Sequence, residues 1–253
     1  MDKISATIIT FNEEDNIERC VLSAFKVADE VVVVDSLSQD KTVEIAKSLG
    51  CKVFDQKWLG YSEQKNLANS KAQYNFILSL DADEVLSDEL VKSILEIKNT
   101  GLSSTYSFNR LTNYCGSWIK HSGWYPDVKS RLFPKEGVKW EGEYVHEELV
   151  FPDGMKFQHI KGDLLHYSYY NYKDHKERAD KYSKLTAEKM HKAGKKAGPL
   201  KPLLSAFARF VGMYFIKMGI LDGKMGFMIA WISAKSNHYK YQVLRNITRN
   251  DRV

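Results

Sequence analysis

The first hundred residues alternate short apolar runs with segments whose apolar positions recur at helical spacing. Strands are predicted over residues 4–10, 31–34, 51–54 and 76–80. Helices are predicted over residues 13–28, 42–49, 63–70 and 88–98, the last capped by Ser87. The unbroken apolar run at 31–34 is typical of a parallel strand buried on both faces. This alternation predicts an α/β fold with a parallel sheet, in which ligands bind at the carboxyl ends of the strands.

The pattern changes twice further along the chain. Residues 104–167 read as short, aromatic-rich antiparallel strands, and a helical, basic segment follows. Residues 171–253 carry 18 Lys and Arg against 6 Asp and Glu, whereas residues 1–170 carry 19 against 26. We therefore predict a domain over 1–170, with halves at 1–100 and 101–170, and a basic amphipathic helical extension over 171–253.

Composition and missing motifs exclude several classes of protein. The chain is 43% hydrophobic and 27% charged, which is typical of a globular protein. Its three cysteines lie far apart with no CxxC, which excludes a disulfide framework and a cysteine-built zinc site. The amino-terminal residues lead straight into a strand, so we expect a cytoplasmic protein. No glycine-rich dinucleotide or P-loop motif, GxSxG elbow or HExxH motif is present.

Polar side chains follow three of the predicted strands. Asp81 and Asp83 come directly after the strand at 76–80, where two carboxylates suit Mg²⁺ or Mn²⁺, although an acidic turn before a helix has the same composition. Asp35 ends the run at 31–34 and is suited to a base or ribose; the alternative is a helix cap, for which Ser38 is the better candidate. Residues 10–14 follow the first strand. Together these positions predict a site at one edge of the sheet.

Three of these segments resemble, in order and at normal spacing, the successive motifs of family 2 glycosyltransferases: residues 8–14 (IITFNEE), 33–36 (VVDS) and 81–84 (DADE). Four later segments are similar to the narrower, WaaE-like group of lipopolysaccharide core β-glucosyltransferases: residues 123–127 (GWYPD), 131–133 (RLF), 145–147 (VHE) and 219–223 (GILDG). The resemblance implies a GT-A fold, with a mixed, mainly parallel sheet flanked by helices, and a nucleotide-sugar donor.

The resemblance also implies roles for individual residues. Those expected around the uracil and ribose of a UDP-sugar are Thr10, Asn12, Glu14 and Asp35. Those expected near the diphosphate or the sugar are Lys65, Asn66 and Asp81. Asp83 would hold Mg²⁺ or Mn²⁺, with His166 as a further ligand or, alternatively, a structural histidine.

An inverting transfer requires a general base for the acceptor hydroxyl. Many family members carry an acidic pair in the second half, where this chain has His146, Glu147 and Glu148. We take Glu147 as the catalytic base and keep its two neighbours as alternatives.

Aromatic and basic residues of the second half are candidates for binding the acceptor. One or two of four side chains are expected to contact a sugar, the others being core: Trp118, Trp124, Tyr125 and Trp140. Arg131 is expected to pair with an acceptor phosphate or with Asp127.

The basic extension interleaves apolar residues with Lys and Arg. Its longest uncharged stretch over 199–245, residues 225–234, is too short to span a bilayer. We predict two amphipathic helices, joined by a break at 219–226, that lie on an anionic membrane surface at the inner face of the cytoplasmic membrane. The alternative is a helical hairpin packed on the domain.

The preferred function is metal-dependent transfer of a hexose, UDP-glucose favoured as its donor, to a lipid-anchored glycan such as a lipopolysaccharide core. Polyprenyl phosphate or another surface polysaccharide are alternative acceptors. A nucleic-acid-binding protein is a rival from another class, but the acidic first part and missing motifs argue against a nucleic-acid partner. A non-catalytic sugar-nucleotide-binding protein is a third possibility.

Overall fold

The computed structural model describes residues 2–142 and 147–250. The strands are β1 Ile4–Thr10, β2 Glu30–Asp35, β3 Lys52–Asp55, β4 Phe76–Asp81, β5 Glu84–Leu86, β6 Thr105–Tyr114, β7 Ser117–Ile119, β8 Asp127–Pro134, β9 Lys139–Glu141, β10 Glu148–Val150 and β11 Phe157–Tyr169. The helices are α1 Ile17–Phe25, α2 Thr42–Ser48, α3 Tyr61–Lys71, α4 Asp88–Thr100, α5 Tyr172–Lys192, α6 Lys201–Val211 and α7 Gly223–Asn250. A π-helical turn, Gly212–Ile216, and a 3₁₀ turn, Gly219–Asp222, separate α6 from α7.

The main sheet is mixed, in the order β3-β2-β1-β4-β8-β6-β11-β5, with β7 paired to β6. Strands β3, β2, β1 and β4 are parallel, and β8 adds to β4 in the antiparallel sense. Every residue of β1 and β2 is buried, because each strand has a neighbour on both sides and helices pack on the sheet. The predicted α/β fold with a mixed sheet and a helical C-terminal segment is confirmed, with four strands in the parallel part.

Two predictions about helix ends have different outcomes. The Ser87 side chain accepts a hydrogen bond from Leu90 N–H and caps α4, as predicted. Ser38, named as a better cap candidate than Asp35, does not cap α2, because α2 begins at Thr42 and Asp40 accepts the Thr42 N–H. Ser38 instead donates to Asp35.

The described chain forms two compact units. The first contains the residues up to Arg110 together with Asp127–Tyr167, and the second contains Leu111–Pro126 together with the residues from Ser168 onward. The first unit has its core between the parallel strands and helices α1 and α4. The domain boundary predicted at residue 170 stays a prediction.

The second unit has an aromatic core. Tyr114 is fully buried, its hydroxyl lies 2.8 Å from Nδ1 of His175, and the rings of Trp124 and Tyr169 pack edge-on against it. Burial, with a smaller contribution from the positive charge of Arg178, lowers the pKa of His175 to about 4. Trp124 is therefore part of this core, and its contact with a sugar stays a prediction.

No single described helix is long and apolar enough to cross a membrane. The segments Lys201–Ile216 and Gly219–Arg249 pass the same test only as a pair, and they are bent by 73° at the break between them. The break between α6 and α7, residues 212–222, thus begins earlier than the predicted 219–226.

Candidate active site

Strand register brings three of the predicted side chains to one edge of the sheet. Thr10 at the end of β1 is paired with Asp35 at the end of β2, and Ile9 is paired with Asp81 at the end of β4. Because these strands are parallel, Thr10, Asp35 and Asp81 share the carboxyl edge.

The loops after β1 and β2 are joined by hydrogen bonds around Asp35. The buried Asp35 carboxylate accepts the N–H and the hydroxyl of Ser38. Asn12 N–H donates to Ser38 Oγ over 2.8 Å, and Asn12 Oδ1 accepts Gln39 N–H over 2.8 Å. Glu14 Oε2 accepts the N–H of Lys41 over 3.1 Å. Asn12, Glu14 and Asp35 therefore lie together, and the two loops hold each other in place.

Two buried polar atoms beside these loops have no hydrogen-bond partner among the described residues: Thr10 Oγ1 and Gln64 Oε1. The ring of Phe11, next to Thr10, is 55% exposed. Unpartnered polar atoms are suited to the polar edge of a nucleobase, and an exposed aromatic ring is suited to its flat face.

Asp81 lies between two buried cations. Its Oδ1 is 2.9 Å from Lys65 Nζ, and its Oδ2 is 2.8 Å from Arg131 Nη2. Burial alone would raise the pKa of this carboxyl, but the positive charges of Lys65 and Arg131 hold it well below its usual range. Asp81 is therefore ionised at any physiological pH.

The buried charges continue behind Asp81. Glu84 is fully buried; its Oε2 accepts Asp81 N–H, and its Oε1 lies 2.9 Å from Arg131 and 3.4 Å from Arg110. Arg110 also pairs with Asp127. Of the two partners expected for Arg131, Asp127 is therefore wrong, since Arg131 pairs with Asp81 and Glu84, and an acceptor phosphate stays a prediction.

Trp140 on β9 forms an aromatic wall beside these cations. Lys65 Nζ lies 4.5 Å and Arg131 Cζ 5.6 Å from the centre of its ring. The side-chain amide of Asn66 bonds both the N–H and the C=O of Trp140, each over 2.8 Å. Asn66 thus fixes β9 to α3, and its predicted contact with the donor stays a prediction.

Glu147, the predicted base, lies just before β10, which pairs with β9. Its Oε1 is 3.7 Å from Lys65 Nζ, and its buried Oε2 has no hydrogen-bond partner among the described residues. Lys65 thereby links Glu147 to Asp81. Glu148 is exposed on β10, and His146 lies outside the described residues.

Asp83 and His166, the predicted metal ligands, are adjacent. Asp83 Oδ2 lies 3.2 Å from His166 Nε2, because β5 pairs with β11 so that Glu84 stands opposite His166. Tyr167 N–H donates to Asp83 O over 2.9 Å and holds the turn. The buried Nδ1 of His166 has no partner among the described residues.

Within residues 2–142 and 147–250 no three His, Cys, Asp or Glu side chains form a group that could hold a metal. A carboxylate and an imidazole that meet at hydrogen-bond distance nevertheless fit Mg²⁺ or Mn²⁺ bound jointly by protein and substrate phosphate. Their role as metal ligands stays a prediction.

Sequence reasoning missed the parts of the site that depend on partners distant in the chain. The sequence marks Glu84 only as part of the motif at 81–84, and it marks Gln64 only by its place before Lys65. The local sequence carries little signal for the burial of Glu84, which becomes visible only when the structure places it two residues before the buried Leu86 on β5.

The sequence and fold were compared with known proteins. The family model described as Glycosyl transferase family 2 matches residues 5–159, a span that includes every predicted site residue except His166. An uncharacterized glycosyltransferase of Rickettsia typhi is 33% identical over 263 residues, covering 100% of this chain and 90% of that protein. The lipopolysaccharide core biosynthesis glycosyltransferase LpsC of Rhizobium meliloti is 25% identical over 256 residues, covering 94% and 93%.

Among solved structures, S. aureus TarS 1-349 in complex with UDP aligns with a TM-score of 0.47 and 15% identity, over 98% of this chain and 92% of that one. The family assignment itself depends on the sequence matches, which span more than half of this chain. Together with the mixed sheet observed here, they confirm the expected GT-A fold. The chain belongs to glycosyl transferase family 2.

Proposed function

We propose that this protein is an inverting glycosyltransferase that moves a hexose from a UDP-sugar, with UDP-glucose the first donor to test, to a lipid-anchored glycan such as a lipopolysaccharide core. The observation that carries the donor assignment is the register that aligns Thr10, Asp35 and Asp81 along one sheet edge, with Lys65 beside them. In the absence of a glycine-rich phosphate loop, such an edge needs a cation for the diphosphate.

The residues of this edge divide the donor between them. Asp35 accepts hydrogen bonds from the nucleoside, and Thr10 and Gln64 offer unpartnered polar atoms to it. The exposed face of Phe11 is suited to cover a pyrimidine ring. Asp81, kept ionised by its two cations, accepts a hydroxyl of the ribose or the sugar.

Asp83 and His166 would hold Mg²⁺ or Mn²⁺, which supplies positive charge for the departing diphosphate. Glu147 performs the proton transfer: as the acceptor oxygen bonds to the anomeric carbon, the hydroxyl proton passes to the carboxylate. The bond from the anomeric carbon to the UDP oxygen breaks, and UDP leaves with that electron pair. Oε2 of Glu147 is suited to this role because no described residue forms a hydrogen bond with it.

The acceptor assignment has separate support. One relative that matches almost the full length is named for lipopolysaccharide core biosynthesis. We place the reaction at the cytoplasmic face of a membrane, where a lipid-anchored acceptor is accessible to a cytoplasmic donor. Polyprenyl phosphate is the alternative acceptor, and incubation of both lipids with labelled donor identifies which one is extended.

Calorimetric titration tests the donor site directly. UDP should bind in the presence of Mn²⁺ and lose most of its affinity when EDTA replaces the metal or Asp83→Asn removes the carboxylate. Asp88→Asn is the matched control, since Asp88 is an exposed acid near the same turn. Equal affinity in Asp83→Asn and Asp88→Asn contradicts the metal assignment, and no UDP binding under any condition contradicts the proposed donor.

A further inference from the structure

Helix α6 presents its apolar stripe to solvent. Leu200, just before the helix, and Leu203, Leu204 and Phe207 recur at helical spacing and are 61–69% exposed. In a globular protein such a stripe faces the core. The only buried residue of α6 is Pro202. The apolar stripe of this helix therefore faces solvent instead of a core.

The exposed apolar area continues across the break and onto α7. The break adds Phe215, Ile216, Met218, Ile220 and Leu221, of which Ile216 is 76% exposed. Helix α7 adds Phe227 and Trp231, whose rings pack on Phe210 of α6. We call these residues, with the four of the α6 stripe, the C-terminal apolar surface. Contiguous exposed apolar areas of this kind mark interaction sites.

The shape of the break is fixed by contacts inside the second unit. The Asp222 carboxylate is 4% exposed and accepts the N–H groups of Lys120 and His121, each over 3.1 Å. The His121 imidazole adds a contact of 2.9 Å. Gly226 packs so closely on the Gly219 carbonyl that a Cβ at residue 226 would clash with it. The apolar residues of the break are therefore presented by a preformed scaffold.

The charges of this segment favour an anionic lipid surface over a second copy of the chain. Residues 200–250 contain eight Lys and Arg and one acid, Asp222, whose carboxylate is already bonded within the fold. Lys201, Arg209, Lys217 and Lys224 are exposed among the apolar residues. A second copy of the same surface would bring these cations face to face, whereas an anionic lipid layer neutralises them and accepts the apolar side chains.

We propose that the C-terminal apolar surface enters the interfacial layer of an anionic lipid bilayer as a preformed wedge, with the break between α6 and α7 leading. The Lys and Arg side chains among these apolar residues contact lipid phosphates, and the Leu, Ile and Phe side chains of the surface reach the acyl boundary. Because the helices exist beforehand, binding needs no folding step. The proposal is independent of the donor chemistry.

Vesicle flotation of the full chain tests the wedge. The wild-type protein should float with vesicles of phosphatidylcholine and phosphatidylglycerol, and at least about tenfold less with phosphatidylcholine alone. The double variant Ile216→Glu/Leu221→Glu should lose at least about tenfold in binding to the anionic vesicles. Leu22→Glu, which places the same change at an exposed position of α1, should bind as the wild type does. Mn²⁺-dependent UDP binding should be equal in all three proteins, which separates this test from that of the donor site.

Three results would overturn the proposal. One is undiminished vesicle binding by both the double variant and a second variant, Leu203→Ser/Phe207→Ser, which keeps the test valid if the first misfolds. Another is a gain of helical circular dichroism on lipid binding, which contradicts a preformed wedge. The third is a pair of results: the wild-type protein forms a dimer without lipid and does not bind vesicles, and the double variant is monomeric. The surface would then bind a second copy of the chain.

Discussion

The ammonium group of Lys65 lies 2.9 Å from Oδ1 of Asp81, and the Lys65 side chain is 2% exposed. The same nitrogen is 3.7 Å from Oε1 of Glu147. One buried cation thus joins the carboxyl edge of the parallel strands to the segment that carries the predicted base. A change in the position of the Lys65 ammonium group therefore alters the electrostatic environment of both carboxylates.

Glu147→Gln should lower the rate of hexose transfer by about 10²- to 10⁴-fold, since an amide cannot accept the hydroxyl proton. The affinity for UDP should change little, and single-turnover kinetics with labelled donor separates the two quantities. Glu148→Gln is the matched control on exposed β10 and should retain activity. The reverse result would move the base to Glu148, and normal activity in both variants would leave His146 as the candidate.

His166→Ala should weaken Mn²⁺-dependent UDP binding by at least about tenfold, because it removes one of the two side chains expected to hold the metal. Calorimetry in Mn²⁺ gives the affinity. His159→Ala on the same strand is the control, since the His159 ring is exposed and its Nδ1 lies 3.3 Å from the Ser107 hydroxyl. Similar affinities in the two variants would assign His166 a structural role.

Arg131→Met should destabilise the fold by about 3–5 kcal/mol, because it leaves the buried carboxylates of Glu84 and Asp81 short of a positive partner. Urea unfolding measures the change. Lys26→Met, which breaks the exposed pair with Asp88, should cost less than about 1 kcal/mol. If Arg131→Met also lowered the free energy of unfolding by less than about 1 kcal/mol, Lys65 and Arg110 would be sufficient to neutralise the two carboxylates.

Acid should weaken the second unit through His175. Its pKa is lowered to about 4 in the fold, so between pH 6.5 and pH 4 the unfolded chain binds the proton that the folded chain refuses. The contribution of neutral His175 to the free energy of unfolding is nearly complete above pH 6.5, and it falls by about 2 kcal/mol from pH 7 to pH 5. His175→Gln should remove this loss while keeping a partner for Tyr114, and urea unfolding at the two pH values measures it. An unchanged pH dependence in the variant would assign the acid sensitivity to other groups.

The parallel half of the fold could be predicted because its signals are local. An apolar run at 31–34, a capping Ser87 and polar residues after each strand are visible without knowledge of the tertiary structure. The fully buried β1 and the carboxyl edge follow directly from them.

The pairings between distant segments could not be predicted, because nothing local distinguishes one carboxylate from another. Arg131 had Asp127 four residues away, but the antiparallel pairing of β8 with β4 and β6 gives Asp127 to Arg110 and turns Arg131 towards Asp81 and Glu84. Strand β5, of three residues, was also missed, since its only partner among the described strands is β11.

The predicted metal pair depends on the register of β5 against β11, which pair over three residues. Side chains alternate between the two faces of a strand, so a shift of β11 by one position would exchange the His166 imidazole for the side chain of Leu165 or Tyr167. Insertions and deletions near this position therefore threaten the site more than most substitutions do. Among relatives of this chain, the lengths of the loops between the DADE segment and the histidine can vary, whereas the register that sets Glu84 opposite the histidine has to stay constant.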